Sequence, residues 1–226
     1  MIDNLIKIEA DYNSTKYKKN YKNFYTKVLK RLLDIIFCFL ISPLLFLIII
    51  SAAVAIKIED RGPIFYRSSR IGKNFKEFGM LKLRSMKVRA PDLRNADGST
   101  YNSKKDPRVT RIGHFLRETS IDELPQIINV LVGQMSIVGP RAGDIESKDT
   151  YKEDEKDKVL IKPGITGYTQ AYYRNSISVR EKRLYDAWYA HNISFLLDIK
   201  ILFKTFFAVF KRDNLYTNKD VYSNKI

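Results

Sequence analysis

A run of 22 residues, from position 35 to position 56, is the strongest constraint on what this chain can fold into. It is apolar except for Ser42, Pro43 and Ser51. As a straight helix it would extend about 33 Å, which is enough to cross the hydrocarbon core of a bilayer. Hydropathy alone therefore favours a transmembrane helix.

Two features of this run do not fit a simple crossing. Pro43 removes a backbone hydrogen bond and kinks a helix that contains it. Residues 11–31 contain seven Lys and Arg and residues 57–76 contain six, whereas the positive-inside rule requires one flank to be poorer. If both flanks lie in the cytoplasm, the segment has to enter and leave the membrane through the same face.

Length and composition set broad limits on fold and partners. The chain has 226 residues, enough for one domain with attached segments. Its 40 Lys and Arg against 25 Asp and Glu give a charge of +15, which suits nucleic acid, anionic lipid or phosphorylated substrates alike. The single cysteine, Cys38, excludes an intrachain disulfide, and only two histidines, His114 and His191, argue against a zinc site. The apolar run begins late and lacks a small-residue cleavage site, so we expect no cleavable signal peptide.

Residues 117–141, with the sequence RETSIDELPQIINVLVGQMSIVGPR, contain the candidate site. Asp122 and Glu123 stand side by side just before an apolar helical segment. Pro125 fits only the first turn of that helix, because further in it would delete a backbone bond. The helix is predicted to begin near Asp122 and to end near Gly133, a residue type that commonly ends helices.

The two carboxylates allow a chemical and a structural interpretation. Arg117 and Arg141 flank them, and a carboxylate at the positive end of a helix between two arginines suits phosphate chemistry. Asp122 also fits a helix N-cap, and Ser120 with Glu123 fits a capping box. The residues alone leave both interpretations open.

The rest of the chain predicts an α+β domain of helices with short strands. Its most basic part follows the apolar run, where Lys82 and Arg84 alternate with Leu83 and so share one face of a strand. Aromatic residues lie among these cations, but no nucleic-acid-binding motif accompanies them, and we expect no nucleic acid partner. The predicted elements are strands at residues 63–67, 78–83 and 135–138, a turn at 72–74, a polar surface loop or lid at 88–107, and a charged, solvated helix at 145–158.

A second apolar segment lies near the C-terminus. Residues 195–210 are apolar at 12 of 16 positions, yet Lys200, Lys204 and Lys211 fall within about 40° of one another on a helical wheel. This one-sided stripe is typical of a helix in the membrane surface, although a buried core helix is the alternative. Asp198 faces the apolar side, so we expect it to have a partner such as an arginine.

Several blocks of this sequence closely resemble the bacterial sugar transferases, the monotopic polyprenol-phosphate phosphoglycosyl transferases. The resemblance extends from about residue 30 to about residue 211, and so many ordered blocks are more specific than one short motif. The blocks are GPIFYR at 62–67, KLRSM at 82–86, DPRVT at 106–110, TSIDELPQIINVLVGQMSIVGPR at 119–141 and KPGITG at 162–167.

The resemblance implies an enzyme that moves a sugar-1-phosphate from a UDP-sugar to polyprenyl (undecaprenyl) phosphate, initiating bacterial glycoconjugate or polysaccharide synthesis. Asp122 would be the nucleophile and form an aspartyl intermediate. Glu123, with Asp122 beside it, would hold Mg²⁺, a cation that favours carboxylate and phosphate oxygens. The substrate-binding residues would be Lys82, Arg84, Arg117, Arg141, Arg174 and Asp186.

The resemblance also implies a re-entrant helix–break–helix at residues 30–57. The break would lie at Ser42-Pro43, where the Ser42 hydroxyl can bond a carbonyl that Pro43 leaves free. The protein would then be monotopic in the inner membrane of a bacterium and face the cytoplasm. The other segments would be an N-terminal extension at 1–29, a catalytic domain at 58–193, a membrane-surface helix at 194–212 and a polar tail at 213–226.

Cations before the apolar run, Lys27, Lys30 and Arg31, are predicted to contact anionic phospholipid. The alternative to an enzyme is a membrane-anchored module that binds anionic lipid or RNA through its basic face. In that case Asp122 and Glu123 would serve only as helix caps.

Overall fold

The computed structural model describes residues 23–93, 101 and 103–211. The predictions for the N-terminal extension up to residue 22, for the tail after residue 211 and for loop residues 94–100 and 102 lie outside this part. A π-helical turn at Tyr25–Leu29 leads into helix α1, and the chain is mixed helix and sheet, as predicted. The helices are α1 Lys30–Glu59, α2 Arg111–Glu118, α3 Gln126–Leu131, α4 Tyr168–Tyr172, α5 Val179–Asn192 and α6 Phe195–Lys211; the strands are β1 Phe65–Ile71, β2 Glu77–Leu83, β3 Ser136–Val138, β4 Gly143–Asp144 and β5 Gly164–Thr166.

Helix α1 contains Pro43 and continues through it. The Ser42 hydroxyl donates a 2.9 Å hydrogen bond to the carbonyl of Phe39, which is the carbonyl that Pro43 cannot bond because it has no N–H. The predicted role of Ser42 is therefore confirmed. The helical backbone continues through Pro43 to Glu59, because this hydroxyl keeps the freed carbonyl satisfied. The re-entrant course of the chain at Ser42-Pro43 stays a prediction.

Both ends of α1 are attached to the same globular domain. Near its start, Asp34 accepts hydrogen bonds from the hydroxyl of Ser136 at 2.8 Å and from the N–H of Ile137 at 3.1 Å. At its end, the Glu59 carboxylate accepts hydrogen bonds from the first N–H groups of α2, at 2.7 and 2.9 Å. The helix is thus held along the domain at two widely separated points.

The inner face of α1 packs on β2 and α3. Cys38 and Leu45 of α1 share one buried cluster with Phe78 of β2 and with Ile127 and Met135, from α3 and the segment after it. Burial of these side chains is the main favourable term that holds the helix to the domain. It also places the start of α3, where the two carboxylates are, against the edge of the sheet.

The strands form two small sheets. β1 and β2 make an antiparallel hairpin in which Phe65 lies opposite Leu83, and β4 adds to the other edge of β1. β3 and β5 form a separate parallel pair. β2 and β3 agree with predicted strands to within one residue at each end. β1 overlaps its predicted strand, but it begins after Pro63, which has no N–H to donate, and extends to Ile71, where the turn begins. β4 and β5 were not predicted from the sequence.

The segment at residues 145–158 is not the solvated helix that its charge pattern predicts. It forms two 3₁₀ segments, Ile145–Thr150 and Glu153–Leu160. Glu155 is only 2% exposed and pairs with Arg180 at 2.8 Å and Arg183 at 3.1 Å. The prediction is wrong because Arg180 and Arg183 of α5 pair with Glu155 and bury it. The local charge pattern alone predicts that this carboxylate is exposed to solvent.

Helix α6 is joined to the start of α1 through a buried carboxylate. Asp198 is 4% exposed and accepts hydrogen bonds from the hydroxyls of Tyr25 at 2.6 Å and Tyr189 at 2.5 Å, and from Lys30. The predicted partner exists, but it is a lysine. Lys30 is therefore turned towards α6, and its predicted contact with a lipid headgroup stays a prediction. The exposed apolar side chains of α6 include Leu196, Phe203, Phe206 and Phe207.

The described ends of the polar loop at 88–107 are held by Arg108. Its guanidinium pairs with Asp106 at 2.7 Å and donates to the carbonyls of Pro91 at 2.9 Å and Tyr101 at 3.2 Å. These contacts fix the loop where it leaves and rejoins the domain.

Candidate active site

Asp122 and Glu123 lie in a 3₁₀ turn, Ile121–Glu123, just before α3. Ser120 enters this turn with a left-handed backbone, φ 59°, and its side chain makes no capping bond; Pro125, at the start of α3, makes none either. The capping interpretation of the two carboxylates is therefore wrong. The Glu123 side chain is directed to Lys82 instead.

Glu123 is bound by a lysine from strand β2. The ammonium of Lys82 donates a 2.6 Å hydrogen bond to Oε1 of Glu123. The strand itself is held by Asn129 of α3, which is 2% exposed. The Asn129 side-chain amide accepts from the N–H of Leu81 at 3.0 Å and donates to the carbonyl of Gly79 at 2.8 Å. It therefore pairs with the free edge of β2 as a neighbouring strand would.

Asn129 is a residue that the sequence reasoning missed. An Asn inside a short apolar helix was the available signal, because a buried polar side chain needs a partner. The sequence does not show what that partner is. The structure shows that Asn129 sets the position of the strand that carries Lys82.

Asp122 has a different environment from its neighbour. It is 8% exposed, and within the described residues its carboxylate makes no hydrogen bond or ion pair. Burial of this carboxyl raises its pKa to about 6, and the Glu123 charge adds to the rise, while the charges of Lys82, Arg117 and Arg141 oppose it. An unbonded, partly desolvated carboxylate is well suited to act as a nucleophile.

The pKa of Glu123 is shifted in the opposite direction, downwards. Burial would raise the pKa of this carboxyl, but the charges of Lys82 and Arg141 and the hydrogen bond from Lys82 outweigh it and hold the pKa well below its usual range. Two adjacent carboxylates thus have pKa values shifted apart, a pattern typical of groups with different roles in one site.

A small pocket that is open to solvent lies beside Glu123. Two arginines line it: Arg141, and Arg70 of β1, which is paired with Asp144. Its remaining lining residues are Met80, Gln126, Ala142, Gly164, Ile165 and Gln170. A pocket with arginines next to a carboxylate pair can accept a phosphate group and a metal ion together.

The turn that presents Arg141 is packed against the turn before β5. The N–H of Gly139 donates to the carbonyl of Thr166, and the N–H of Gly164 donates to the carbonyl of Pro140, both at 2.9 Å. A Cβ on Gly164 would lie 2.1 Å from the Gly139 nitrogen, so no larger residue fits between the two backbones. This close packing fixes Arg141 next to the carboxylates.

Asp186 lies behind the pocket and not in its lining. It is 1% exposed and accepts hydrogen bonds from the backbone N–H of Arg141 at 3.2 Å and from the hydroxyl of Thr169 at 3.0 Å. Lys158 pairs with it at 3.1 Å. Asp186 therefore holds the backbone of Arg141 in this structure, and its contact with substrate stays a prediction.

Arg84 was predicted to share a strand face with Lys82 and so to lie near the carboxylates. In the structure it is directed away from them. It is 7% exposed and binds Asp60, just after α1, at 2.5 Å and the carbonyl of Pro63 at 2.5 Å. The physical reason is that β2 ends at Leu83, so the alternation of the strand no longer applies. Arg84 fixes the end of α1.

The other two predicted arginines differ in position. Arg117 of α2 donates to the Ser85 hydroxyl at 3.0 Å, and its charge acts on Asp122. Arg174 follows α4 with a left-handed backbone, φ 48°, and its role in phosphate binding stays a prediction.

The residues at this site fit the predicted magnesium ion. The described residues contain no cluster of three or more His, Cys, Asp or Glu side chains that would form an all-protein metal site. Mg²⁺ is commonly bound by one or two carboxylates together with substrate phosphates, however. Within the described part, Oε2 of Glu123 and both oxygens of Asp122 have no hydrogen-bond partner, so these oxygens are available as ligands.

Comparison with known proteins agrees with this geometry. A family model described as "Bacterial sugar transferase" matches residues 25–212. The chain belongs to the bacterial sugar transferase family. The match includes α1, both carboxylates and α6.

Relatives in this family include longer and similar-sized proteins. The chain is 38% identical over 208 residues to an uncharacterized sugar transferase of Haemophilus influenzae, covering 87% of this chain and 44% of that protein. It is 39% identical over 198 residues to the UDP-glucose:undecaprenyl-phosphate glucose-1-phosphate transferase of Escherichia coli K12, covering 84% and 42%. It is 37% identical over 175 residues to the uncharacterized sugar transferase EpsL of Bacillus subtilis, covering 77% and 84%. The chain thus spans less than half the length of the first two bacterial sugar transferases.

Proposed function

We propose that this bacterial sugar transferase is a phosphoglycosyl transferase that moves a sugar-1-phosphate from a UDP-sugar to polyprenyl phosphate. This reaction would start the synthesis of a bacterial glycoconjugate or polysaccharide. The observation that carries the proposal is the pair of carboxylates in unlike environments. Asp122 is buried and has no bonded partner among the described residues, whereas Glu123 is held by Lys82. The activity named for the Escherichia coli relative supports the same reaction class.

The reaction divides into two displacements at one phosphorus atom. An oxygen of Asp122 attacks the phosphate attached to the sugar, and the bond from that phosphorus to the oxygen of the UMP leaving group breaks. UMP departs and leaves a sugar phosphate on Asp122. An oxygen of polyprenyl phosphate then attacks the same phosphorus, the bond to Asp122 breaks, and the product is a sugar diphosphate of the polyprenol.

The cations around the carboxylates would hold the phosphates during both steps. Lys82 and Arg141 act on Glu123, and Arg117 and Arg141 act on Asp122. Positioning and charge neutralisation are the main needs of phosphoryl transfer. Bound Mg²⁺ would neutralise charge that develops on the phosphates, with Glu123 as its ligand and Asp122 beside it.

We propose that the protein is monotopic in the inner membrane and faces the cytoplasm. The described residues include one helix with the length and apolarity of a membrane span, Tyr25–Glu59 with its preceding turn. A helix that crossed would have its two ends on opposite sides of the bilayer, whereas Asp34 and Glu59 both bind the same domain. Exposed apolar side chains on α1 and α6, among them Leu40, Phe46 and Phe206, would contact lipid.

The test is UMP release from UDP-sugar by full-length, detergent-purified protein. We expect release by the unaltered protein and by Asp149→Asn, which changes an exposed Asp. Asp122→Asn should abolish release. If the unaltered protein releases no UMP from any UDP-sugar, with or without polyprenyl phosphate, the enzyme assignment fails. The alternative, a module that only binds anionic lipid or RNA, would then be favoured.

A further inference from the structure

A second group of cations lies at the opposite end of α3 from the carboxylates. The guanidinium of Arg31 donates to the carbonyls of Val130 at 2.5 Å and Leu131 at 2.9 Å. The Lys162 ammonium lies beside it: a Cβ built on Gly133 would have the Lys162 Nζ at 3.5 Å and a terminal nitrogen of Arg31 at 3.7 Å. Two positive groups from distant parts of the chain therefore meet at one point.

No acidic side chain in the described part of the chain forms an ion pair with either of these two cations. Lys162 is half-buried, and within the described residues it makes no hydrogen bond or ion pair. Burial lowers its pKa, and the charges of Arg31 and Lys73 lower it further, while Asp34 opposes them. Asp34 is itself bonded to Ser136 and Ile137. A half-buried ammonium next to a guanidinium is unfavourable unless an anion joins them.

Capping of the α3 C-terminus accounts for the position of Arg31 but not for that of Lys162. Arg31 bonds the last carbonyls of α3, as basic side chains near a helix C-terminus often do. It has five N–H donors, so some remain for another ligand. Lys162 bonds no carbonyl among the described residues. Gly133, with φ 83°, has no side chain that would fill the space between them.

The surroundings indicate where the anion comes from. Val28 and Leu32, on either side of Arg31 in sequence, are 53% and 51% exposed, and Val132 beside Gly133 is 64% exposed. These apolar side chains lie where the apolar part of α1 begins. An anion that approaches here meets apolar surface next to two positive charges, which suits a phosphate attached to a lipid better than a soluble one.

We propose that Arg31 and Lys162 bind the headgroup phosphate of an anionic membrane phospholipid. Helix α3 has six residues and is about 9 Å long, so this phosphate lies on the order of 10 Å from Asp122 and is not the reacting one. The site fixes the start of α1 and the end of α3 to the membrane surface. It rests on the membrane location proposed above, but it does not depend on the transfer reaction.

The experiment measures lipid binding to the full chain in a zwitterionic detergent by native mass spectrometry. The probes are phosphatidylglycerol, phosphatidylcholine and polyprenyl phosphate, each added alone, and inorganic phosphate, added in competition with phosphatidylglycerol. We expect phosphatidylglycerol to bind and Lys162→Gln to weaken it roughly tenfold or more, as for loss of a charge-assisted hydrogen bond. Lys162→Arg, which keeps the charge, should retain binding. Lys200→Gln, which removes an exposed charge from α6, should weaken it by no more than about fivefold.

Four outcomes overturn the proposal. Equal losses in Lys162→Gln and Lys200→Gln would mean general charge attraction only. Equal binding of phosphatidylcholine would mean that no anion is selected. Displacement of the lipid by inorganic phosphate would assign the site to a soluble phosphate. A Lys162-dependent preference for polyprenyl phosphate would assign it to the acceptor. UMP release with donor alone should be unchanged in Lys162→Gln. Failure of the transferase proposal would appear as absence of UMP release by the unaltered protein, which is a different measurement from lipid binding.

Discussion

Lys82 and Glu123 form a 2.6 Å ion pair between strand β2 and the turn before α3. The contact joins residues that are 41 positions apart and lies at the lining of the pocket. It holds the Glu123 carboxyl ionised and directs one of its oxygens, which leaves the other for a metal ion. The position of the candidate metal ligand thus depends on a strand from an earlier part of the chain.

Replacing Lys82 should therefore impair the reaction more than a loss of one surface charge would. In Lys82→Gln we expect turnover to fall by roughly 10²- to 10³-fold, the range seen when a single charge-stabilising donor is removed from an active site. Lys82→Arg should recover part of it. Lys104→Gln, at an exposed loop position, is the control. Turnover near the unaltered level in Lys82→Gln would show that the pair has no part in the reaction.

The raised pKa of Asp122 predicts a pH dependence. The attacking group has to be deprotonated, and burial raises the pKa of this carboxyl to about 6. The rate of UMP release with donor alone should therefore increase as pH rises through about 6 and then level off. The measurement is a single-turnover pH profile. A rate that is flat from pH 5 to pH 8 would contradict the assignment of Asp122 as the titrating nucleophile.

The raised pKa of Asp122 should also appear in the pH dependence of the free energy of unfolding. A carboxyl whose pKa is higher in the folded state stabilises the fold below its unfolded pKa, near 3.8, and loses that contribution as pH rises through about 6. Asp122→Asn removes the buried charge and should raise the free energy of unfolding at pH 7 by about 2 to 3 kcal/mol. The difference from the unaltered protein should disappear near pH 4.

Asn129 should behave as a positioning residue. Asn129→Ala leaves the N–H of Leu81 and the carbonyl of Gly79 without this partner, at a cost of about 1–3 kcal/mol for each buried group. Because β2 carries Lys82, we also expect kcat to fall with little change in the KM for UDP-sugar, measured well below the Tm. A variant with a lower Tm but unchanged kcat would limit Asn129 to a structural role.

Much of the fold could be predicted from local pattern. The end of α3 near Gly133, the short strand β3 and the β1–β2 hairpin follow from residue types and spacing. Local pattern could not show that Arg84 turns to Asp60, that Arg180 and Arg183 cover Glu155, or that Asn129 pairs with β2. These contacts join distant parts of the chain. The alternation of polar and apolar residues indicates which face of a helix or strand is buried, but it does not identify the residues that pack against that face.

The same limit applies to the site. The pair Asp122 and Glu123 was found from sequence together with Lys82 and Arg141, because the motif and the resemblance agree there. The sequence did not distinguish Asp122, which is buried and has no bonded partner in the described part of the chain, from the paired Glu123. That difference arises from burial and from the position of β2, which only the folded chain provides.

The topology of α1 can be tested by labelling. Cysteines at Asn23 and at Asn74, introduced one at a time, should react with a membrane-impermeant maleimide only from the cytoplasmic face. The unaltered protein is the control, since its Cys38 is fully buried. Replacing Ser42 and Pro43 with Leu raises hydrophobicity and restores the backbone ladder, and should favour a spanning helix. Labelling of one position from outside in the otherwise unaltered sequence would contradict the monotopic proposal.

The most direct test of the account is whether Asp122 becomes covalently modified. Intact-protein mass spectrometry would follow full-length protein incubated with UDP-sugar and Mg²⁺ but without polyprenyl phosphate. We predict a mass increase of about one sugar phosphate per chain, mapped to Asp122 by fragmentation. It should be present in Asp149→Asn, absent in Asp122→Asn and lost when polyprenyl phosphate is added. If no adduct forms while turnover with both substrates persists, transfer is direct and Asp122 is not the nucleophile.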